Sequence, residues 1–185
     1  SDAQLVTEFT TAQQAAAQLE PTLFRMVSVL QPGLEARNEE ESPRWQAGFD
    51  LAMGRALAQK VRTETYNAML AKGKRGMAFT DSKNNTWVLK ASDEISVGSK
   101  WQREAEMARK LLKSVVAEHG GTPWALLAQQ ELAVPIGWQW VDEFTDLTPS
   151  PRRQMRNNNN NPPRPARDDQ KRMIQRRPTR PVPKL

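Results

Sequence analysis

The side chains in this sequence that could do chemistry are few and poorly matched to one another. His119 is the only histidine and stands directly before Gly120 and Gly121. An imidazole at that place complements a helix C-terminus and can bond its last carbonyls. Nucleophilic catalysis would need it beside an activated Ser or Cys and an orienting acid. The chain has no cysteine, and no such set is visible in the sequence. A zinc site would require three or four His, Cys or carboxylate ligands, more than one histidine can start. Glu131 and Asp142 are the carboxylates a hydrolase or glycan-active enzyme would use, and neither has a visible partner. The run Glu39, Glu40, Glu41 reads as a solvated loop whose charge favours the start of the next helix. No catalytic residue, metal ligand or cofactor is therefore expected, and the chain reads as a non-enzyme.

Two other groups of residues bear on binding. Gly73, Lys74, Arg75 and Gly76 form a basic turn after a helix rather than a phosphate loop before one, since GxxxxGK[ST] is missing. Charge complementarity with the helix end accounts for it; an anion or nucleic-acid contact is the alternative. The six tryptophans are Trp45, Trp87, Trp101, Trp124, Trp138 and Trp140. An indole at an element start can bury its ring and keep its N–H near water. Packing explains such placement, and a groove reading a peptide or glycan is the sharper alternative. The candidate partner-binding residues are Trp45, Trp87, Trp101 and Trp124, together with the tail cations Arg152, Arg153, Arg176 and Arg177.

The elements that position these residues follow from periodicity. From Trp101 to Trp138 apolar residues recur at Trp101, Ala105, Ala108, Leu112, Val115 and Val116, one face of a helix. Gly120 and Gly121 end it. Thr122 is a good N-cap and Pro123 a good first helical residue, because the hydroxyl satisfies an orphan amide and proline has none to satisfy. A second helix carries Trp124, Leu127, Ala128 and Leu132 until Pro135, so a helix hairpin with a tight turn is predicted. Ser42 and Pro43 start the longest helix, running to about Ala71 through Trp45, Phe49, Met53, Leu57, Val61 and Leu70. Its alanines suit close packing against the hairpin. Upstream, Pro21 divides residues 1–30 into one helix and a shorter second one.

Between Met77 and Lys90 the period changes from helical to alternating. Met77 and Phe79 alternate with smaller residues, Asp81 to Asn85 supply turn chemistry, and Thr86 to Leu89 are strand formers. A small β-hairpin over residues 77–90 is predicted, with Phe79 and Trp87 docked on the helices because an isolated hairpin is marginal in water. Ser92 and Asp93 form the turn into the next helix.

Charge divides the chain. Residues 149–185 hold 11 Lys or Arg against Asp168 and Asp169, a net of +9, leaving 16 basic and 19 acidic residues before them. Eight of the 13 prolines and a run of five asparagines also fall there. Low hydrophobicity and high charge leave chain entropy uncompensated, so residues 148–185 are expected to be disordered. The organisation read from the sequence is N-terminal helices and an acidic loop over 1–42, a helical domain with its β-hairpin insert over 43–147, and the basic tail. The fold class is mainly α. No apolar run reaches the roughly 18 residues a membrane helix needs. The start SDAQLVTEFT lacks the basic and apolar regions of a signal peptide, and its lack of an initiator Met points to a fragment of a longer protein. Cytoplasm and periplasm are equally compatible with the sequence.

Two resemblances add expectations. The hairpin is similar to half of a tetratricopeptide-type unit: Ala108, Leu112 and Val115 match the spacing of a second helix, and Trp124, Leu127 and Ala128 the start of the following unit. No second copy appears at a period of about 34 residues. The phrases PRWQAGFDLAMGRALAQKVRTETYNAMLAKGKRGM, NNTWVLKASDEI and GTPWALLAQQELAVPIGWQW resemble the C-terminal region of planctomycete proteins that contain a von Willebrand factor A domain. That resemblance implies a segment that follows such a domain in a protein of adhesion or assembly. It implies no metal site here, because the A-domain loop Asp-x-Ser-x-Ser has no counterpart; Asp81-Ser82-Lys83 fails it.

The function expected from these readings is a noncatalytic protein-interaction or assembly module with a protein partner. The alternative is nonspecific binding of nucleic acid or an anionic surface through the basic tail, which carries no aromatic residue for base stacking.

Overall fold

The computed structural model describes residues 2–146. Its elements are α1 (Asp2–Ala17), α2 (Glu20–Leu30), α3 (Gly33–Ala36), α4 (Pro43–Lys74), β1 (Thr86–Ser92), α5 (Ser99–Glu118), α6 (Pro123–Leu132) and β2 (Gly137–Glu143). The fold is mainly helical with one small antiparallel sheet. Arg152, Arg153, Arg176, Arg177 and the disorder expected for the tail lie outside the described residues.

Helix α4 is the spine, and α1, α2, α5, α6 and β2 all pack on it. Its 32 residues span about 48 Å at the helical rise of roughly 1.5 Å per residue. Burial explains the arrangement. Ala56, Leu57, Ala58, Lys60, Val61, Thr63 and Thr65 are all buried, so consecutive residues on different faces have neighbours, as in a central helix. The threonines there return their hydroxyls to the helix, Thr65 Oγ1 to Val61 O at 2.6 Å and Thr63 Oγ1 to Gln59 O at 3.0 Å. That local bond removes the cost of burying a hydroxyl.

Helix α5 runs antiparallel to α4. Near its start Trp101 and Glu104 bond Glu64 and Lys60, and at its end Glu118 meets Arg37, which also holds Asp50. The face predicted from periodicity is the buried one: Ala105, Ala108, Leu112 and Val115 have no exposed surface. The first two join Met53, Leu57, Ala58, Val61, Ile95 and Ile136; the last two join Leu51 and Ala128. Closest approach falls at Gly54, where a Cβ would stand 2.8 Å from Leu112 Cγ. Gly121 then adopts φ +79°, a left-handed conformation that glycine takes without steric penalty. Thr122 Oγ1 accepts from Ala125 N at 3.3 Å and donates to His119 O at 2.6 Å, so one side chain closes both helix ends of the turn. Pro123 opens α6 as expected.

The sheet is present, but its pairing differs from the predicted one. Residues 77–85 form no strand, and β1 pairs with β2 rather than with Met77–Thr80. The register matches Trp87 with Asp142, Leu89 with Trp140 and Ala91 with Trp138. A local hairpin would have turned its aromatics on a two-stranded ribbon with little behind it. The long-range pair instead lays its strands on α4, where the indole N–H groups of Trp138 and Trp140 donate to Arg62 O and Met69 O at 3.1 and 2.8 Å. Because partners in register share a face, Trp87, Leu89 and Ala91 lie on the same side of the sheet as the two tryptophans. Ser92 and Asp93 do turn the chain: Ser92 Oγ accepts from Glu94 N at 3.1 Å.

Candidate functional site

A cleft of about 1200 Å³ opens where α1, the C-terminal end of α4 and the sheet meet. Each wall has a sequence cause. Helix α1 contributes Leu5, Val6 and Phe9; Leu5 and Val6 are largely exposed, so the cleft is where its apolar stripe remains open. Helix α4 contributes Tyr66, Leu70 and Gly73, and ends in the basic turn Lys74–Arg75–Gly76. The sheet contributes Trp87, Leu89, Trp138 and Trp140, and the connection before it contributes Met77 and Phe79.

Three aromatic pairs line this space. Phe9 and Trp140 lie 5.7 Å apart between centroids, Tyr66 and Trp138 meet edge-on at 5.4 Å, and Phe79 stacks on Trp87 at 5.3 Å. Such contacts contribute about 0.5–1.5 kcal/mol each beyond area burial. The bonds from Trp138 and Trp140 to α4 fix their rings. The Phe9–Trp140 pair also depends on Gly73, since a Cβ there would sit 2.8 Å from Phe9 Cε2 and 3.1 Å from Trp140 Cζ2. The loop carrying Phe79 is held by Asp142, whose Oδ2 accepts from Thr80 N at 2.7 Å and from Asp81 N at 3.2 Å. The Asn84 side chain first, then these amides, hold the Asp142 carboxyl below its usual range, because donors favour the charged form.

Of the four tryptophans taken as partner-binding candidates, Trp45, Trp87, Trp101 and Trp124, only Trp87 lies in the cleft. Trp45, at the start of α4, is 66 % exposed. Trp124 packs on the cluster of Leu51, Leu112, Val115 and Ala128. Trp101 packs on the other cluster and donates to Glu64 Oε2 at 2.6 Å. These four do not converge on one surface. Phe9, Tyr66, Phe79, Trp138 and Trp140 do the converging with Trp87, and sequence reading missed them as site residues. No shared sequence signal marks them: Phe9, Tyr66, Phe79 and the pair Trp138 and Trp140 lie far apart along the chain and meet only when β1 and β2 pair on α4.

Several charged groups elsewhere are tied to partners. Glu131 is bound by Arg62 and, at 3.3 Å, by Arg55. Buried Asp50 holds Arg37 at 2.7 Å, and that hydrogen bond above all raises the arginine pKa further. Burial opposes charge on Lys60, yet Glu104 and Glu64 outweigh it and lift its pKa. Ser114 and Arg37 lower the pKa of Glu118. His119 Nε2 is buried and has no hydrogen-bond partner among the described residues. Among those residues no three His, Cys, Asp or Glu side chains converge to hold a metal, and no helix is long and apolar enough to cross a membrane. What this arrangement offers a ligand is aromatic surface and a basic rim, where Lys74 and Arg75 outnumber the single carboxylate of Glu8. No protein-family model matches the chain, and neither a curated protein nor a solved structure is significantly similar to it.

Proposed function

We propose that the protein is a noncatalytic interaction module that binds an extended peptide segment of a partner protein in the aromatic cleft. One observation carries this reading: three aromatic pairs, anchored from α1, α4 and the sheet, surround one cleft of about 1200 Å³. Rigid aromatic rings give large contact area at low entropic cost, which is how recognition surfaces obtain affinity. The commitment of Glu131 and Asp142 to arginines and amides supports a binding role over an acid–base one. The resemblance to the region following a von Willebrand A domain is compatible with an assembly role, and the tetratricopeptide-like row Ala108, Leu112, Val115 serves as the scaffold packed on α4. The test is selection of a random-sequence peptide library against the full chain, followed by fluorescence titration of enriched peptides. Enriched peptides should lose at least tenfold in affinity on Trp87→Ala. A library that yields no binder, or binders indifferent to that substitution, refutes the reading.

A second reading rests on the net +9 of residues 149–185. It is nonspecific attachment to nucleic acid or another polyanion, and log affinity should then fall linearly with log salt. Deleting those residues should abolish it; unchanged affinity refutes it.

A further inference from the structure

We infer that the cleft's partner is a proline-rich, extended segment carrying carboxylates. This rests on the peptide-binding reading above and adds the chemistry of the ligand. The argument is complementarity of hydrogen-bonding capacity and charge. Trp138 and Trp140 have spent their N–H groups on α4 carbonyls, so they offer ring faces alone. Trp87 and Tyr66 also line the cleft, and their ring partners are Phe79 and Trp138. Neither the Trp87 N–H nor the Tyr66 hydroxyl has a hydrogen-bond partner among the described residues, and neither is a buried orphan. The residues lining the cleft therefore carry two unspent donors beside apolar ring faces. Its rim adds Lys74 and Arg75, which form no ion pair among the described residues, against Glu8.

A ligand that fits such a surface has many acceptors, few donors, compact apolar rings and negative charge. A polyproline II segment meets the first three conditions. Proline has no backbone N–H, so its carbonyls accept without leaving donors unpaired. Its conformation is set before binding, which lowers the entropic cost of ordering. Docking of pyrrolidine rings between aromatic side chains is a recurrent mode of recognition. The rim supplies the fourth condition, since carboxylates flanking the prolines would meet Lys74 and Arg75. A neutral glycan also stacks on indoles, but its hydroxyls donate as well as accept, and it gives the two cations no charged group to meet.

The probe is a decaproline peptide with a glutamate pair at each end, titrated into the full chain by calorimetry at low and high salt. Glutamine-ended and alternate-alanine versions serve as comparisons, with cellohexaose as the glycan. The glutamate peptide should bind about threefold to tenfold more tightly than the glutamine one at low salt, with the gap closing as salt rises. Trp87→Phe keeps the stacking on Phe79 and removes the N–H, and should weaken binding about threefold to tenfold, the effect of one hydrogen bond. Lys74→Ala with Arg75→Ala should remove the preference for glutamate, bringing the glutamate peptide's affinity down to that of the glutamine peptide in the same variant. Alternate-alanine peptide binding as tightly as decaproline, or cellohexaose binding more tightly than either, overturns the inference. So does glutamate-peptide affinity indifferent to both sets of substitutions, which would place binding on the cations from Arg152 onward. If library peptides of other composition bind through Trp87 while decaproline does not, this inference fails and the peptide-binding reading stands. If no peptide binds, both fail.

Discussion

Gly54→Ala tests the central claim about the scaffold, that α4 and α5 meet too closely for any side chain at this point. The new Cβ would lie 2.8 Å from Leu112 Cγ, 3.0 Å from Leu112 Cδ2 and 3.4 Å from Ala108 O. Carbon atoms prefer roughly 3.5–4.0 Å, so something must move by about an ångström. The obstructing atom is the branch point of a side chain with no exposed surface, not a mobile tip. Overpacking of this kind costs about 1–3 kcal/mol, and the upper end applies here. Alanine recovers about 1 kcal/mol of helix propensity over glycine. The net loss is then about 2 kcal/mol, or roughly 4–8 °C in Tm for a domain of this size. Urea melts followed by far-UV circular dichroism read it directly. The partner experiment is Leu112→Ala, which alone should cost about 3–5 kcal/mol by opening a cavity. In the double variant the alanine at position 54 occupies part of that cavity, so the two losses should fall short of additivity by about 1–2 kcal/mol. Wild-type stability in Gly54→Ala, or strict additivity in the double variant, refutes the close crossing.

Gly73→Ala should act on the cleft rather than on the fold. The atom it meets first, Phe9 Cε2, is the far end of a ring, so stability should stay within about 1 kcal/mol of wild type, while peptide binding falls as Phe9 and Trp140 are forced apart; melts and titrations on one preparation separate the two. Thr122→Ala should cost about 1 kcal/mol by removing the cap of α6, measurable as a lower urea midpoint at unchanged slope. Lys60→Met keeps the packed stem but leaves Glu64 and Glu104 without their cation, and should cost about 2 kcal/mol, less than a wholly buried pair because both carboxylates reach solvent. The folded Lys60 pKa is raised, so its contribution is complete below the ordinary lysine value and is lost as pH rises through the folded one; the methionine variant should lack that alkaline loss. Asp142 is the opposite case: its folded pKa is lowered from 3.8, so its hold on the loop is complete above that value and is lost as pH falls through the folded one. Amide resonances of Thr80 and Asp81 should shift together in that acid window, and they should already be shifted at neutral pH in Asp142→Asn.

The five longer helices were legible because their signals are local; the four-residue α3 was not predicted. Pro21, Pro43 and Pro123 sit in the first turns of α2, α4 and α6, and Thr122 caps α6 with a bond that spans three residues. The buried row of α5 was legible because helical period alone aligns Ala105, Ala108, Leu112 and Val115. Ser42 shows how far that reaches: its backbone is extended, as at a cap, but its side chain makes no capping bond. The strand partner of Thr86–Ser92 was not legible, because Met77–Thr80 also alternates and lies nearer in the chain. The choice was made by what stands behind the sheet, since only Gly137–Glu143 brings Trp138 and Trp140 onto α4.

The cleft follows from that choice. Its residues come from three separated stretches, 5–12, 66–89 and 138–140, and no spacing rule joins them. By itself the sequence determined a mainly helical chain, the turn at Gly121–Thr122 and the segregation of charge into residues 149–185, because propensity, capping and composition act over a few residues. Tertiary structure alone decided which aromatics share a surface. Ring contacts between Phe9 and Trp140, or Tyr66 and Trp138, depend on one long helix bringing α1 and the paired strands to the same end.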